Sequence, residues 1–431
     1  MGYGEKGKRL YFKIFYTFSL GIKGDRMSKV EFIRPVFVDI LGRMLDFTLP
    51  ISKLDDISNG IGIDGSSIEG FARTTESDLL FIPDISKTIK LPFEYNYGDK
   101  SWYETIIFGK IVDSNGEIYP GDSRSFLQSV IEKNKDIGLL NCGAELEFFI
   151  FNDINKPSHT GSGGYFRSGN FGELRKYIQF VLQEMGIDVE TDHHEVSNSQ
   201  HEIDLKHTNI LDMADNIILA KYVIKRIVKN AGYYASFMPK PINGINGNGM
   251  HIHVSAWKDD VNLFCDDNDI ISSFAKKFIN GLIKHGKEIQ LLLNQWINSY
   301  KRLIPGYESP TVFSCGDKDR STYIRIPSSN SDSSTRIEIR NPDPGANPYL
   351  VMAAINLAGF DGVANNIPDQ KPYNFATSLG EAINVFKDSE FIKQNFPEHM
   401  FNKLIENKMI ECDEFNKHVT DYEISKYYSQ L

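Results

Sequence analysis

Three stretches of this chain carry polar groups at the two-residue period of a β-strand, and their types suggest chemistry. In CGAELEFFIF (142–151) alternation puts Glu145, Glu147, Phe149 and Phe151 on one face and Ala144, Leu146, Phe148 and Ile150 on the other. A glutamate pair of this kind is ordinarily solvent-facing, and the phenylalanines continuing the same face count against that. In NGINGNGMHIHVSAW (243–257) His251, His253, Ser255 and Trp257 oppose Met250, Ile252 and Val254. Two imidazoles thus project together, either as a metal or phosphate site or as a hydrogen-bonded structural pair. The preceding glycines and Asn246 let backbone approach a ligand or simply make a loop, and they do not form a dinucleotide fingerprint. In TRIEIRNPDPGANPYL (335–350) Arg336, Glu338 and Arg340 oppose Ile337 and Ile339. Arg-Glu-Arg is commonly a surface ladder of ion pairs, but here the strand runs through a loop into a helix capped at Asn347-Pro348, which fixes where the arginines point.

A fourth segment, HHEVSNSQHEIDL (193–205), adds Glu195 and Glu202, and six of the ten histidines fall between 193 and 253. Glu145, Glu147, Glu195, Glu202, Glu338 and His251 make a hard, oxygen-rich donor set suited to Mg²⁺ or Mn²⁺ rather than to thiolate-seeking zinc. Without cations, five gathered carboxylates would repel one another and hold protons. Arg302, Arg320, Arg325, Arg336 and Arg340 lie within 39 residues. Their planar forks suit carboxylate and phosphoryl oxygens. Divalent cations facing an arginine cluster suit phosphoryl transfer, where positioning and charge neutralisation do most of the work. Neither a Walker loop nor a kinase signature is present.

The elements that must position these groups divide at about Gly121-Asp122. Residues 1–27 form a basic and apolar extension expected to lie outside the fold, with Met27 an alternative start. It is unlike a signal peptide in that Lys13 interrupts its apolar stretch and no small-x-small cleavage site follows. Short β-rich runs separated by turns fill 28–120, a small sheet-dominated domain. In 121–431, strands alternate with helical patterns at 124–134, 172–185, 211–231, 269–293, 347–358 and 378–392. With 431 residues, 41% hydrophobic and 24% charged, the composition is that of a soluble globular protein. A net charge of −10 gives little attraction to nucleic acid or anionic lipid, so neither is expected as a partner. Cys142, Cys265, Cys315 and Cys412 show no framework spacing and read as reduced thiols in a cytoplasmic protein.

Seven motifs, DGSSIEGFAR (64–73), AELEFF (144–149), HHEV…QHEID (193–204), KP…NGNGMHIHVS (240–255), NSYKRLIPGYESP (298–310), RSTYIRIP (320–327) and RIEIRNPDPGANPYL (336–350), resemble in order those of glutamine synthetase, type I, over about 290 residues. The resemblance implies an α+β fold: a small β-grasp N-terminal domain and a large catalytic domain whose curved antiparallel sheet is flanked by helices. It also implies a dodecamer of two six-membered rings, with active sites shared between subunits. The substrates implied are glutamate, ammonia and ATP, joined through γ-glutamyl phosphate. One divalent ion would sit among Glu147, Glu195 and Glu202, the other among Glu145, His251 and Glu338. Glutamate would be held by Arg302, Arg340, Asn246 and Gly247. Arg320 and Arg325 would face the transferring phosphoryl group, Arg336 and His253 the nucleotide phosphates, and Ser255 the nucleotide. Ammonium would be deprotonated in a pocket formed by Asp64 and Ser67 of the neighbouring subunit with Tyr165, Glu195 and Glu308, the last also shielding the intermediate. Without the resemblance, Asp64 reads as a turn-former.

The chain departs from the family pattern at Ser333, where a basic residue is common, at RSGNFGELR (167–175) and at NQWINSYKRL (294–303). No adenylylation loop is recognisable near 361–376, and IEGFAR (68–73) resembles the alpha-like, product-inhibited subclass, with Arg73 as the relay. A γ-glutamyl-amine ligase of the same fold and a non-catalytic oligomeric relative are the competing readings.

Overall fold

A computed structural model describes residues 30–54, 56–70, 78–169, 171–266, 271–329 and 331–431. The expected extension 1–27, with Met27, and the suggested relay Arg73 lie outside the described residues. The N-terminal part is a seven-stranded sheet in which Val30–Val38 runs parallel to Lys100–Val112, and Asp78–Lys90 pairs antiparallel on the other side of Lys100–Val112. Ile61–Asp64 closes its edge.

The larger part is a nine-stranded sheet. Its path runs Cys315–Asp317, Ile324–Ile326, Ile337–Ile339, Met250–Lys258, Leu139–Phe151, Gln200–Asn209 and Val189–His194, antiparallel except at its first pair. The apolar side of Leu139–Phe151 is sealed as its alternation requires, with Leu146, Phe148 and Ile150 each 0% exposed. Helix Ile210–Asn230 lies over that strand. Helix Pro348–Ala364 is buried along nearly its whole length, which its Ala- and Gly-rich sequence permits.

The two parts are bolted together by polar groups. Arg34 donates to Asp46 at 2.7 Å, to Glu104 at 3.0 Å and to the hydroxyl of Tyr222 on helix Ile210–Asn230 at 2.7 Å. Asn347 accepts from Tyr349 N through its side chain while its Nδ2 donates to Asp39 O, Ile40 O and Ser123 Oγ. One asparagine therefore caps the buried helix and holds the N-terminal sheet against it.

The helix expected over 269–293 is two helices, Ser273–Lys284 and Gly286–Leu293, broken at His285. The pattern at 378–392 likewise divides into Leu379–Asp388 and Glu390–Asn395, with Ser389 ending one and capping the other. Helices Ser273–Lys284 and Pro348–Ala364 approach so closely that a Cβ on Gly281 would lie 2.2 Å from Ala358 O, and one on Gly362 would lie 2.1 Å from Lys277 O. Among the described residues no helix is long and apolar enough to cross a membrane. Gly281→Ala should therefore separate the two helices and cost about 1–3 kcal/mol, read as a fall in thermal midpoint. An unchanged midpoint would show that the contact yields.

Candidate active site

Strand register makes the site. Glu202 stands opposite Glu147 on one side and His193 on the other. Glu145 is flanked by Asp204 and His251 in the same way, and Glu338 by His253 and Arg325. Because strand side chains alternate, all of these groups emerge on the face turned away from the helices.

Two groups of three donors result, each with ligand atoms within 4.8 Å of one another: Glu145, His251 and Glu338, and His193, Glu195 and Glu202. Glu147 lies beside the first, 3.8 Å from His251 Nε2, and is held by Gln200 Nε2 at 2.8 Å and Gly249 N at 2.9 Å. A Cβ on Gly249 would lie 2.7 Å from Arg302 Nη2 and 2.8 Å from His251 Nε2, so a larger residue there would displace both site groups. Arg336 Nε donates to His253 Nδ1 at 3.1 Å. His253 Nε2 must then carry the proton it gives to Glu145 Oε1 at 2.7 Å.

The electrostatics are uneven. Burial pushes Glu145 up, but His253 and His251 outweigh it and hold its carboxyl well below the usual range. Glu202 is the reverse: burial, followed by the charges of Glu145 and Glu147, raises it well above that range. Burial raises Glu147 too, with His251 opposing and Glu195 adding to the rise, and burial with the charge of Glu145 pushes Asp204 up to about 6. Burial works against a charged His193, yet its bond to Glu195 at 2.8 Å raises it. Carboxylates that retain protons because of burial and of one another, and a buried His193 Nδ1 without a hydrogen-bond partner, fit a site completed by cations.

Around this floor stand the arginines. Arg325 and Arg340 both donate to Glu338, and Arg340 Nε is buried without an acceptor. Arg302 is buried and donates to Asn341 O at 2.8 Å and Arg340 O at 3.1 Å, so it also fixes the loop behind the strand. Arg320 is exposed and hydrogen-bonds Tyr165, whose ring lies edge-on to His193 at 5.0 Å. Asn246 Nδ2 donates to Glu308 Oε2 at 2.6 Å, joining the glycine loop to the IPGYE loop, in which Glu308 has φ +54°. Gly247 O accepts from Gln200 Nε2 at 3.0 Å, which ties the same loop to the acid face. Ser255 is further along its strand and accepts from Trp257 Nε1 at 2.8 Å.

Asp64 and Ser67 stand apart. Both are exposed on the N-terminal part, and the Asp64 carboxylate accepts from Ser66 N at 2.8 Å. Two acid-face residues were missed in the sequence, His193 and Asp204. Each has the signal that found the others, a spacing of two from a chosen glutamate, Glu195 and Glu202 respectively. The departures are also explained in part. Gln295 Oε1 accepts from Asn347 N at 2.8 Å and Trp296 Nε1 donates to Gly345 O at 2.7 Å, so NQWINSYKRL braces the loop after the Arg340 strand. Arg175 is buried and pairs with Asp192. Ser333 is exposed in a short turn.

Residues 29–113 match the glutamine synthetase β-grasp domain and residues 120–427 the glutamine synthetase catalytic domain. The chain is 39% identical to a glutamine synthetase of Methanosarcina mazei over 93% of its length and 95% of the relative's. It is 36% identical to one of Staphylococcus aureus, over 94% and 96%. Among solved structures, that of Plasmodium falciparum glutamine synthetase superposes with a TM-score of 0.85 at 27% identity, covering 94% of this chain and 97% of the other. A structure titled as a GmaS/ADP complex gives 0.83 at 26% identity, covering 93% and 97%. With both its catalytic domain and its β-grasp domain matched, the chain belongs to the glutamine synthetase family.

Proposed function

We propose that this protein ligates ammonia to the γ-carboxylate of L-glutamate at the expense of ATP, giving glutamine, ADP and phosphate. The observation that carries this reading is the meeting on one sheet face of two oxygen-rich donor trios with arginines on the adjoining strands. Family resemblance supplies the substrates, and composition favours a cytoplasmic enzyme.

Glu145, His251 and Glu338 would hold one divalent cation, with Glu147, Glu195 and Glu202 around the other and His193 beside them. Mg²⁺ or Mn²⁺ bound there would neutralise the crowded acids and polarise the γ-phosphoryl oxygens. Arg302 and Arg340, with Asn246 and Gly247, bind glutamate and aim its γ-carboxylate oxygen at the γ-phosphorus of ATP. A P–O bond forms there as ADP leaves. Arg320 and Arg325 stabilise the charge on the moving phosphoryl group, while Arg336, His253 and Ser255 bind the nucleotide. Ammonium entering beside Tyr165, Glu195 and Glu308 gives a proton to Asp64 of a neighbouring subunit, with Ser67 lining the pocket. The freed lone pair attacks the acyl carbon, phosphate departs with the electrons of the broken C–O bond, and the surplus proton on nitrogen passes to Glu308. Glu308 on its loop keeps water from the acyl phosphate. Members of this family are oligomers that use small-molecule substrates. We assign this one to a dodecamer of two rings, because exposed Asp64 then serves the next subunit's site.

Glu308→Ala should lower ammonium-dependent glutamine formation by about 10²–10⁴-fold, read alongside ADP release. Equal rates in the variant and the parent would remove the catalytic assignment. Running the same assay with putrescine or ethanolamine as acceptor distinguishes the amine-ligase alternative, which requires these amines to outcompete ammonium.

Asp204, ordinarily 3.8 and here about 6, holds a proton that an unfolded chain would release between those values. Its contribution to the stability of the metal-free protein is therefore present at low pH and lost as pH rises to about 6. The raised Glu147 and Glu202 act in the same direction. Cations displace these protons, so the rise in thermal midpoint on adding Mn²⁺ should be larger near pH ~7.5 than near pH ~5. It should shrink in Glu202→Gln. A rise of equal size at both pH values and in the variant would place the cation elsewhere.

Sharing of sites predicts complementation. Mixed oligomers refolded from equal amounts of Asp64→Asn and Glu308→Ala chains should regain about one quarter of the parental activity, because random assembly joins an intact Asp64 to an intact Glu308 at that frequency. No recovery would confine both residues to one subunit.

A further inference from the structure

A cavity of about 1220 Å³ opens on the molecule, and none of the residues assigned above to metal, glutamate, ammonium or nucleotide lines it. Its walls come from helix Ile210–Asn230, the end of strand Leu139–Phe151, the segments 41–46 and 234–241 and helix Glu398–Lys417. Ile154, Met238 and Phe415, all exposed large apolar residues, are among its lining. A large hollow with apolar walls is the usual form of a small-molecule site.

The polar groups in it are unbalanced. Lys221 and Lys225, four residues apart on one helix, both reach over the Phe237 ring with their ammonium groups 5.7 Å from its centroid. Like charges at this spacing destabilise a helix. Lys221 donates to Pro344 O at 2.6 Å, and among the described residues neither lysine has a carboxylate in ion-pair reach. Of the four acids on the wall, Asp46 is paired with Arg34 at 2.7 Å and Glu411 with Lys408 at 2.9 Å, while Asp153 accepts from Asn155 N at 2.8 Å, which leaves Glu414. Consistent with this, burial first and then the charge of Lys225 push Lys221 down to about 7.

We propose that this cavity binds a small organic anion whose phosphate or carboxylate group bridges Lys221 and Lys225 while its apolar part lies against Met238 and Phe415. An ammonium pair around an oxyanion replaces a like-charge repulsion with two charge-assisted hydrogen bonds.

The test uses the assembled, Mg²⁺-loaded protein saturated with ADP and titrated with the anionic aromatic dye 8-anilinonaphthalene-1-sulfonate. One saturable site per chain is expected, displaced by inorganic phosphate or by succinate. Displacement by the first alone identifies a phosphate ligand and by the second alone a dicarboxylate, either of which supports the site. Lys225→Glu should weaken the dye about tenfold to a hundredfold, as expected for one lost charge-assisted bond. Lys221→Met, which keeps the aliphatic stem, should act in the same direction and serves if the first variant does not assemble. No saturable site, unchanged affinity in the variants, or displacement by neither anion would overturn the proposal.

Discussion

Glu147 faces Glu202 and Glu145 faces Asp204 across adjacent strands of a sheet whose other side is sealed by helices. Like charges directly opposite one another destabilise a strand pair, and burial makes the repulsion larger. The remainder of the catalytic part can be understood as compensation for this juxtaposition. His251 and His253 converge on Glu145, Arg325 and Arg340 on Glu338, and Gln200 and the Gly249 amide on Glu147. Glu202 has only His193, 3.6 Å away, beside it, and burial with the charges of Glu145 and Glu147 raises it well above the usual range. The sheet is thus locally crowded with acids, which protons relieve in part and bound cations would relieve further.

Faces were legible in the sequence because a strand repeats every two residues, whatever its neighbours. Alternation alone put Glu145 with Glu147, His251 with His253, and Arg336 with Glu338 and Arg340. It could not say that Glu147 would meet Glu202 or that His253 would meet Glu338, since register depends on long-range pairing with no local marker. His193 shows how a local signal can be overlooked: it shares a face with Glu195, but its neighbour His194 drew no distinction between the two rings. His194 instead points its Nδ1 at the backbone of Glu195. The family motifs supplied the pairing that periodicity lacked.

Helix ends were the weaker part. The sequence Lys284-His285-Gly286 carries a basic last turn and a glycine, the usual marks of a stop, inside a pattern that is otherwise continuously apolar. His285 sits at the break, bonded to Glu288 and Asp361 and stacked on Phe391 at 3.8 Å. Gly286 lies against Phe313, where a Cβ would come within 2.4 Å of the ring. The bend is therefore set by tertiary packing as much as by local preference. NQWINSYKRL is a similar case: its departures made sense only once Gln295 and Trp296 were seen gripping the loop after Arg340.

Asn347 joins the two parts of the chain. By capping the innermost helix while grasping the backbone at Asp39 and Ile40, it makes the N-terminal sheet an outrigger keyed to the same beam that backs the reaction face. Asp64 is carried on that outrigger, so its position is set by the same key. Disturbing that key, or the bond from Arg34 to Tyr222, would shift the whole outrigger relative to the reaction face.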